Sequence, residues 1–220
     1  MSQNQERSNT FRHEIAYRGE AIFEKRKQFE LIVCGAGALG SNLLNMLARQ
    51  GFESLTVIDC DRVERHNLQT QYYGKSDVGT VKVRACKNKL FRDLGVKIVD
   101  LKKEIKKPSD LKLAQESKLI VDTFDNFESR RIIQQACREF KISCVHAGMS
   151  DDGFSEIKWD EVYRIPEEEV PQEDVCEYPL ATNLVHFTVN LLAEVIARFA
   201  DEGIKQNYEF TLKDLKISSL

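Results

Sequence analysis

The sequence has no Cys-x-x-Cys pair, four prolines and one tryptophan, and no apolar run near the roughly 20 residues that cross a bilayer. Each shortage removes a class of protein. Six cysteines, at 34, 60, 86, 137, 144 and 176, lack metal-ligand spacing, which argues against structural zinc and against a secreted disulfide framework. Five lie within or beside apolar segments, where a free thiol is expected to be a small buried hydrophobe; Cys176 does not. A net charge of −3 gives no general grip on nucleic acid. Met1-Ser-Gln-Asn-Gln-Glu-Arg has no signal-peptide core, so a cytoplasmic protein without membrane contact is expected.

The 220 residues suffice for one α/β domain whose core needs no staple. Its centre is Leu31-Ile-Val-Cys-Gly-Ala-Gly-Ala-Leu-Gly40, an apolar strand running into Gly35, Gly37 and Gly40 before an apolar helix. Glycines permit a tight turn and close backbone approach, and the helix N-terminus offers unpaired N–H groups, so this pattern is a phosphate cradle. It serves the polyphosphate of ATP and the pyrophosphate of NAD equally. A second strand, 54–59, ends on Asp59, near the spacing at which an acid takes ribose hydroxyls.

Around this core, residues 11–28 read as helical with a break at Gly19, and Arg12 or Arg18 could form an arm reaching a neighbouring site. A long polar connection, 61–82, is a candidate active-site wall. A helix over 78–91 follows, with Lys82, Lys87 and Lys89 mostly outward. A strand over 96–101 and a basic stretch, 102–118, with Ser109-Asp110 as a helix cap, come next. Leu119 to Asn126 reads as a buried strand ending on carboxylates, so that Asp59 and Asp125 face one crevice at the strand ends. A helix over 129–140, a strand over 142–147, antiparallel alternation over 154–162, an acidic loop over 161–177, a long helix over 182–200 and one or two closing strands over 208–217 complete the chain. The expected fold is a Rossmann-like, mostly parallel sheet flanked by helices, with antiparallel strands at the C-terminal edge. Its parts are an arm (1–28), a nucleotide-binding core (29–150) and the edge strands, acidic crossover and last helix (151–220). His66, His146 and His186 read as structural.

Taken in order, Gly-Ala-Gly-Ala-Leu-Gly, Ile58-Asp-Cys-Asp-Arg-Val-Glu, Asn67-Leu-Gln-Thr-Gln71, Val78-Gly-Thr-Val-Lys82 and Val121-Asp-Thr-Phe-Asp-Asn126 resemble the ThiF/MoeB/HesA family, relatives of ubiquitin-activating enzymes, in a minimal form without zinc-binding cysteine pairs. The resemblance implies an adenylyltransferase that uses ATP and magnesium (Mg2+) to activate the C-terminal carboxylate of a small ubiquitin-like or sulfur-carrier protein, acting as a homodimer. By the same resemblance Gly37 meets the nucleotide, with Gly35 and Gly40 beside it, and Asp59 holds the ribose, with Asp61 and Asn126 nearby. Asn67 and Gln71 line the phosphates, Lys82 neutralises them and Asp125 holds magnesium. Thr70 stands where the family has an arginine and lacks the planar charged fork that grips phosphate. Arg12, reaching in trans, is the expected substitute, with Arg18, Arg65 and Lys75 as alternatives. Cys176 occupies the region where family members place an acyl-accepting thiol.

Rival readings are an NAD-dependent oxidoreductase, which leaves the 61–82 connection and Asp125 without a task, and a non-catalytic scaffold of the same fold, for which Thr70 speaks. Singly, Asp59 could cap a turn, Lys82 could be a surface lysine and Asp125 could cap a helix.

Overall fold

The computed structural model describes residues 10–165 and 179–220. The apolar runs become strands β1 (Leu31–Cys34), β2 (Leu55–Asp59), β3 (Val99–Lys102), β4 (Leu119–Asp122) and β5 (Ser143–Met149), paired in parallel. β6 (Phe154–Trp159), β7 (Tyr208–Thr211) and β8 (Lys216–Ser219) extend the sheet antiparallel, giving the order β3-β2-β1-β4-β5-β6-β7-β8. Among the described residues the α-helices are α1 (Arg12–Arg18), α2 (Glu20–Lys27), α3 (Ala38–Arg49), α4 (Lys82–Leu94), α5 (Phe127–Phe140) and α6 (Thr182–Glu202). The expected α/β architecture is therefore present.

Strands covered on both faces carry uninterrupted apolar runs, and the alternation of their side chains assigns the two layers. Leu31 and Val33 face a core built with α3, α4 and α6 through Leu43, Leu90 and Leu192. Ile32 and Cys34 face the opposite core, with Ile133 of α5 and Leu111 of the 3-10 turns at Pro108–Glu116. There Asp110 accepts the N–H groups of Lys106 and Lys107, the capping role read from the sequence.

The arm is bound to this body through a buried cation. Arg26 is fully buried, its Nε and Nη2 donating to the two oxygens of Asp201 in α6 at 2.8 and 2.5 Å. Its Nη1 donates to Glu14 at 2.9 Å and to the Gln50 carbonyl at 3.3 Å, at the end of α3. Such a pair is tolerable in the interior because nearly every donor has an acceptor.

Of the boundaries that differ from the sequence expectation, three bear on the site. α4 starts at Lys82 rather than Val78, because the preceding backbone is engaged by residues 61–63: Gly79 N–H donates to Val63 O, Val63 N–H to Thr80 O and Lys82 N–H to Asp61 O. β3 starts at Val99 rather than Val96. β4 ends at Asp122, four residues before Asn126. No helix among the described residues is long and apolar enough to cross a membrane.

Candidate active site

β1 ends at Cys34, flanked in register by Ile58 of β2 and Asp122 of β4. The strand order reverses between β1 and β4, and ligands of open α/β sheets bind at the carboxyl edge of such a switch point. The chain leaves β1 through Gly35 at φ 100°, where a Cβ would also stand 2.9 Å from Thr123 Oγ1. At Gly40, in the first turn of α3, a Cβ would lie 2.0 Å from the Gly35 carbonyl oxygen. These two glycines are demanded by the packing of the turn itself. Gly37, just before α3, is different: a Cβ there meets nothing within 4 Å, leaving room for a group that approaches the free N–H groups of the helix.

Asp59 closes one side of the turn. Its Oδ2 accepts the Ala36 N–H and its Oδ1 the Asp61 N–H, both at 2.7 Å. Burial pushes its pKa up, against the pull of those N–H groups and of Lys82. Each oxygen keeps a lone pair for a further donor such as a hydroxyl. Lys82 is buried, contrary to the outward position expected: as the first residue of α4 it points inward, Nζ 3.0 Å from Asp61 Oδ2. Lys87 pairs with Asp100 at 2.6 Å, and Lys89 stands over the Tyr72 ring.

The 61–82 connection folds back onto the cradle. Tyr73 Oη donates to the Ala36 carbonyl at 2.7 Å, the Tyr72 N–H donates to Ser41 Oγ at 2.9 Å, and Asn42 Nδ2 donates to the Thr70 carbonyl at 2.8 Å. Asn67 is buried and its Oδ1 accepts the Glu64 N–H at 2.8 Å, leaving its amide group as donor. Gln71 Oε1 is buried without a hydrogen-bond partner among the described residues. Asp125 lies exposed on the turn after β4. The adjacent Asn126 caps α5, its Oδ1 accepting the Ser129 N–H at 2.8 Å, so the capping role weighed for Asp125 falls to its neighbour.

The remaining candidates are dispersed. Arg12 is exposed at the start of α1. Arg18 is held within the chain by Glu194 at 2.5 Å and Glu14 at 3.3 Å, which removes it as a residue free to reach elsewhere. Arg65 and Lys75 line a cavity of about 360 Å³ with Leu68 and Val78. Cys176 lies outside the described residues. Cys34, Cys86, Cys137 and Cys144 are buried as expected, but Cys60 is exposed, because β2 ends one residue before it. Its Sγ and one carboxylate oxygen each of Asp59 and Asp61 lie within 4.8 Å of one another. A soft thiol beside a carboxylate already bound by two N–H groups does not suit magnesium, a hard cation that takes oxygen.

One polar cluster was not foreseen. Asp122 and His146 are both fully buried, facing each other in register across β4 and β5, with His146 Nδ1 2.8 Å from Asp122 Oδ2. Its Nε2 lies 3.3 Å from Asp160 Oδ1, and the ring stacks on Tyr163 at 4.1 Å. Buried Arg130 donates to Tyr163 Oη at 2.9 Å and to the Ala147 carbonyl at 2.7 Å. Burial alone would push Asp122 up, but the charge of Arg130 and the hydrogen bonds of His146 and Phe124 N–H hold it below its ordinary pKa. Burial likewise would lower His146, but its bonds to Asp122 and Asp160 raise it.

Comparison with known proteins identifies the family and the shared fold. The chain is similar to the SAMP-activating enzyme E1 of Haloferax volcanii, 34% identical over 123 residues that cover 54% of this chain and 45% of that protein. It is 35% identical over 117 residues to the sulfur carrier protein ThiS adenylyltransferase of Bacillus subtilis, covering 51% and 35%. The SUMO-activating enzyme subunit 2 of Dictyostelium discoideum is 25% identical over 144 residues, covering 64% and 22%. The chain thus spans less than half the length of each of these relatives. Among solved structures, E. coli MccB with AMPCPP and MccA shares the fold, with a TM-score of 0.81 at 18% identity over all of this chain and 72% of that one. The ThiF family model matches residues 11–157, which include the glycine turn, Asp59, Lys82 and Asp125, and the chain belongs to the ThiF family.

Proposed function

We propose that this chain is an ATP-dependent adenylyltransferase that activates the C-terminal carboxylate of a small ubiquitin-like or sulfur-carrier protein. The observation that carries this reading is the cradle: Gly37 open to an approaching phosphate, Asp59 fixed by the Ala36 and Asp61 N–H groups, and Lys82 turned inward beside them. The orphaned Gln71 Oε1 adds an acceptor with no partner of its own. Relatives named as activating enzymes and adenylyltransferases support it.

In this reading a carboxylate oxygen of the carrier attacks the α-phosphorus of ATP, the bond to the bridging oxygen breaks, and pyrophosphate leaves with the electron pair. Two anions must meet, so the site needs oriented donors and cations more than a base. The N–H groups at the start of α3 and the Lys82 ammonium supply them, and Asp59 fixes the ribose. Asp125 is the carboxylate for magnesium, which when bound screens the phosphates. Arg12 stands exposed on an arm anchored by Arg26, consistent with a homodimer in which it reaches the partner's site. Cys176 is the candidate acceptor for a subsequent thioester, in a cytoplasmic setting.

The test is exchange of labelled pyrophosphate into ATP with magnesium and a small carrier ending in Gly-Gly. Wild-type exchange that Asp125→Ala abolishes is expected. Exchange unchanged in that variant removes Asp125 from the mechanism. Tight NAD binding without ATP binding replaces the reading with the oxidoreductase.

A further inference from the structure

We propose that His146 is a positioning residue: clamped as a doubly protonated ring between Asp122 and Asp160, it fixes the turn that presents Asp125 to a magnesium nucleotide. This rests on the nucleotide-activation reading and deepens it. Both ring nitrogens face carboxylate oxygens, at 2.8 and 3.3 Å. An ionised carboxylate only accepts, and a neutral imidazole carries one N–H, so only the imidazolium donates to both neighbours. The ring is fully buried, which leaves water no easy substitute for a missing donor.

The groups facing the clamp come from each element packed on it. Asp122 belongs to β4, and Arg130 of α5 lies 3.8 Å from the same carboxylate oxygen. Asp160 and Tyr163 follow β6, and Arg138 and Gln134 of α5 also bond Asp160. Glu156 of β6 acts on Arg130, while the buried thiols of Cys34 and Cys144, whose pKa values burial pushes up, remain neutral. The two carboxylates on the ring are thus balanced by the ring itself and two arginines.

Asp122 transmits the ring's position to the site. Its Oδ2 takes the imidazole while its Oδ1 accepts the N–H of Phe124, the residue immediately before Asp125. The intervening Thr123 bonds the Cys34 carbonyl at 2.9 Å through Oγ1 and touches the Gly35 carbonyl at 3.3 Å. Ahead of Asp125 the turn is thus tied through two side chains, Thr123 to the cradle and Asp122 to His146. With the proton gone from the ring, one N–H is left for two carboxylates; Asp160 keeps Arg138 and Gln134, so the tie to Asp122 is the one that depends on the ring's charge.

Imidazole nitrogen NMR across pH, together with binding of a fluorescent ATP analogue with and without magnesium, tests this on the full chain. The wild-type ring is expected to be doubly protonated at pH 7, and a neutral tautomer there overturns the clamp. His146→Gln keeps one donor but loses the charge. It should reduce the magnesium-dependent gain in affinity on the order of tenfold, as loss of an outer-shell partner of a metal ligand does, while magnesium-free binding changes less than about twofold. Asp160→Asn, at the cluster's outer edge, tests the same link if the first variant fails to fold. It should move the ring's titration to lower pH and make the magnesium gain disappear over that same range. A magnesium gain unchanged in a folded variant, or unmoved when the ring titration moves, overturns the proposal with the nucleotide reading intact. A wild-type chain that binds no nucleotide overturns the nucleotide reading first, and the role of the clamp with it.

Discussion

Gly40→Ala and Gly37→Ala separate two reasons for a glycine. A methyl at position 40 would sit 2.0 Å from the Gly35 carbonyl oxygen and 2.9 Å from its carbon, both backbone atoms. An ordinary carbon–oxygen contact is about 3.3 Å or longer, so α3 and the turn would have to part by roughly 1.3 Å. Overpacking of this kind costs about 1–3 kcal/mol, and rigid backbone on the opposing side places Gly40→Ala at the upper end. For a chain of this size about 3 kcal/mol lowers Tm by roughly 6–12 °C. At position 37 the same methyl meets nothing within 4 Å, so the penalty is the cost of alanine at a helix N-cap, under about 1 kcal/mol. Gly37→Ala should melt within a few degrees of wild type, yet lose about tenfold or more in affinity for ATP, because the methyl fills the approach to the helix N–H groups. Thermal melts and fluorescent-nucleotide titration of both variants read the contrast. A Gly40→Ala protein as stable as wild type would refute the packing account, and a Gly37→Ala protein that binds ATP undiminished would move the phosphates away from this turn.

Removing Arg26 should be among the most destabilising single changes: Arg26→Met leaves Asp201 buried without its partner, at a cost of about 3–5 kcal/mol in urea unfolding, and adding Asp201→Leu should recover much of it. Lys82→Met should stay within about 1 kcal/mol of wild type in the same assay, since Asp61 is largely exposed and rehydrates, while pyrophosphate exchange is lost. The difference in stability between wild type and His146→Gln should vary with pH in a defined sense. The raised pKa of His146 gives stabilisation that is complete below about pH 6.5 and fades as pH rises through the folded value. The lowered pKa of Asp122 gives stabilisation present above about pH 4 and lost on further acidification, so the difference should peak between roughly pH 4 and 6.5. A difference that grows toward alkaline pH would contradict the imidazolium assignment.

The sheet was readable because each central strand is a short apolar run ended by glycine or an acid, and β1 with its glycine turn admits few other folds. The start of α4 was not, because Val78 and Val81 have helical spacing while their backbone partners are residues 61–63, a long-range pairing that local periodicity does not carry. That shift also hid the inward turn of Lys82. Asp122 was absorbed into an over-long β4 since Phe124 continues the apolar run. Its partner His146 is 24 residues away, one crossover along, at the matching position of the next parallel strand. Polar residues at matching positions of successive parallel strands are a detectable signal, and here they mark a buried pair.

Thr70 is held in place by its carbonyl, which takes the Asn42 amide, and its neighbours are anchored through the Tyr72 N–H and the Tyr73 hydroxyl. None of these attachments uses the side chain of residue 70. The wall of the crevice is thus fastened by a frame indifferent to what residue 70 displays, so a cation can be exchanged for a hydroxyl there without loosening the protein, and evolution can retune this position independently of the fold.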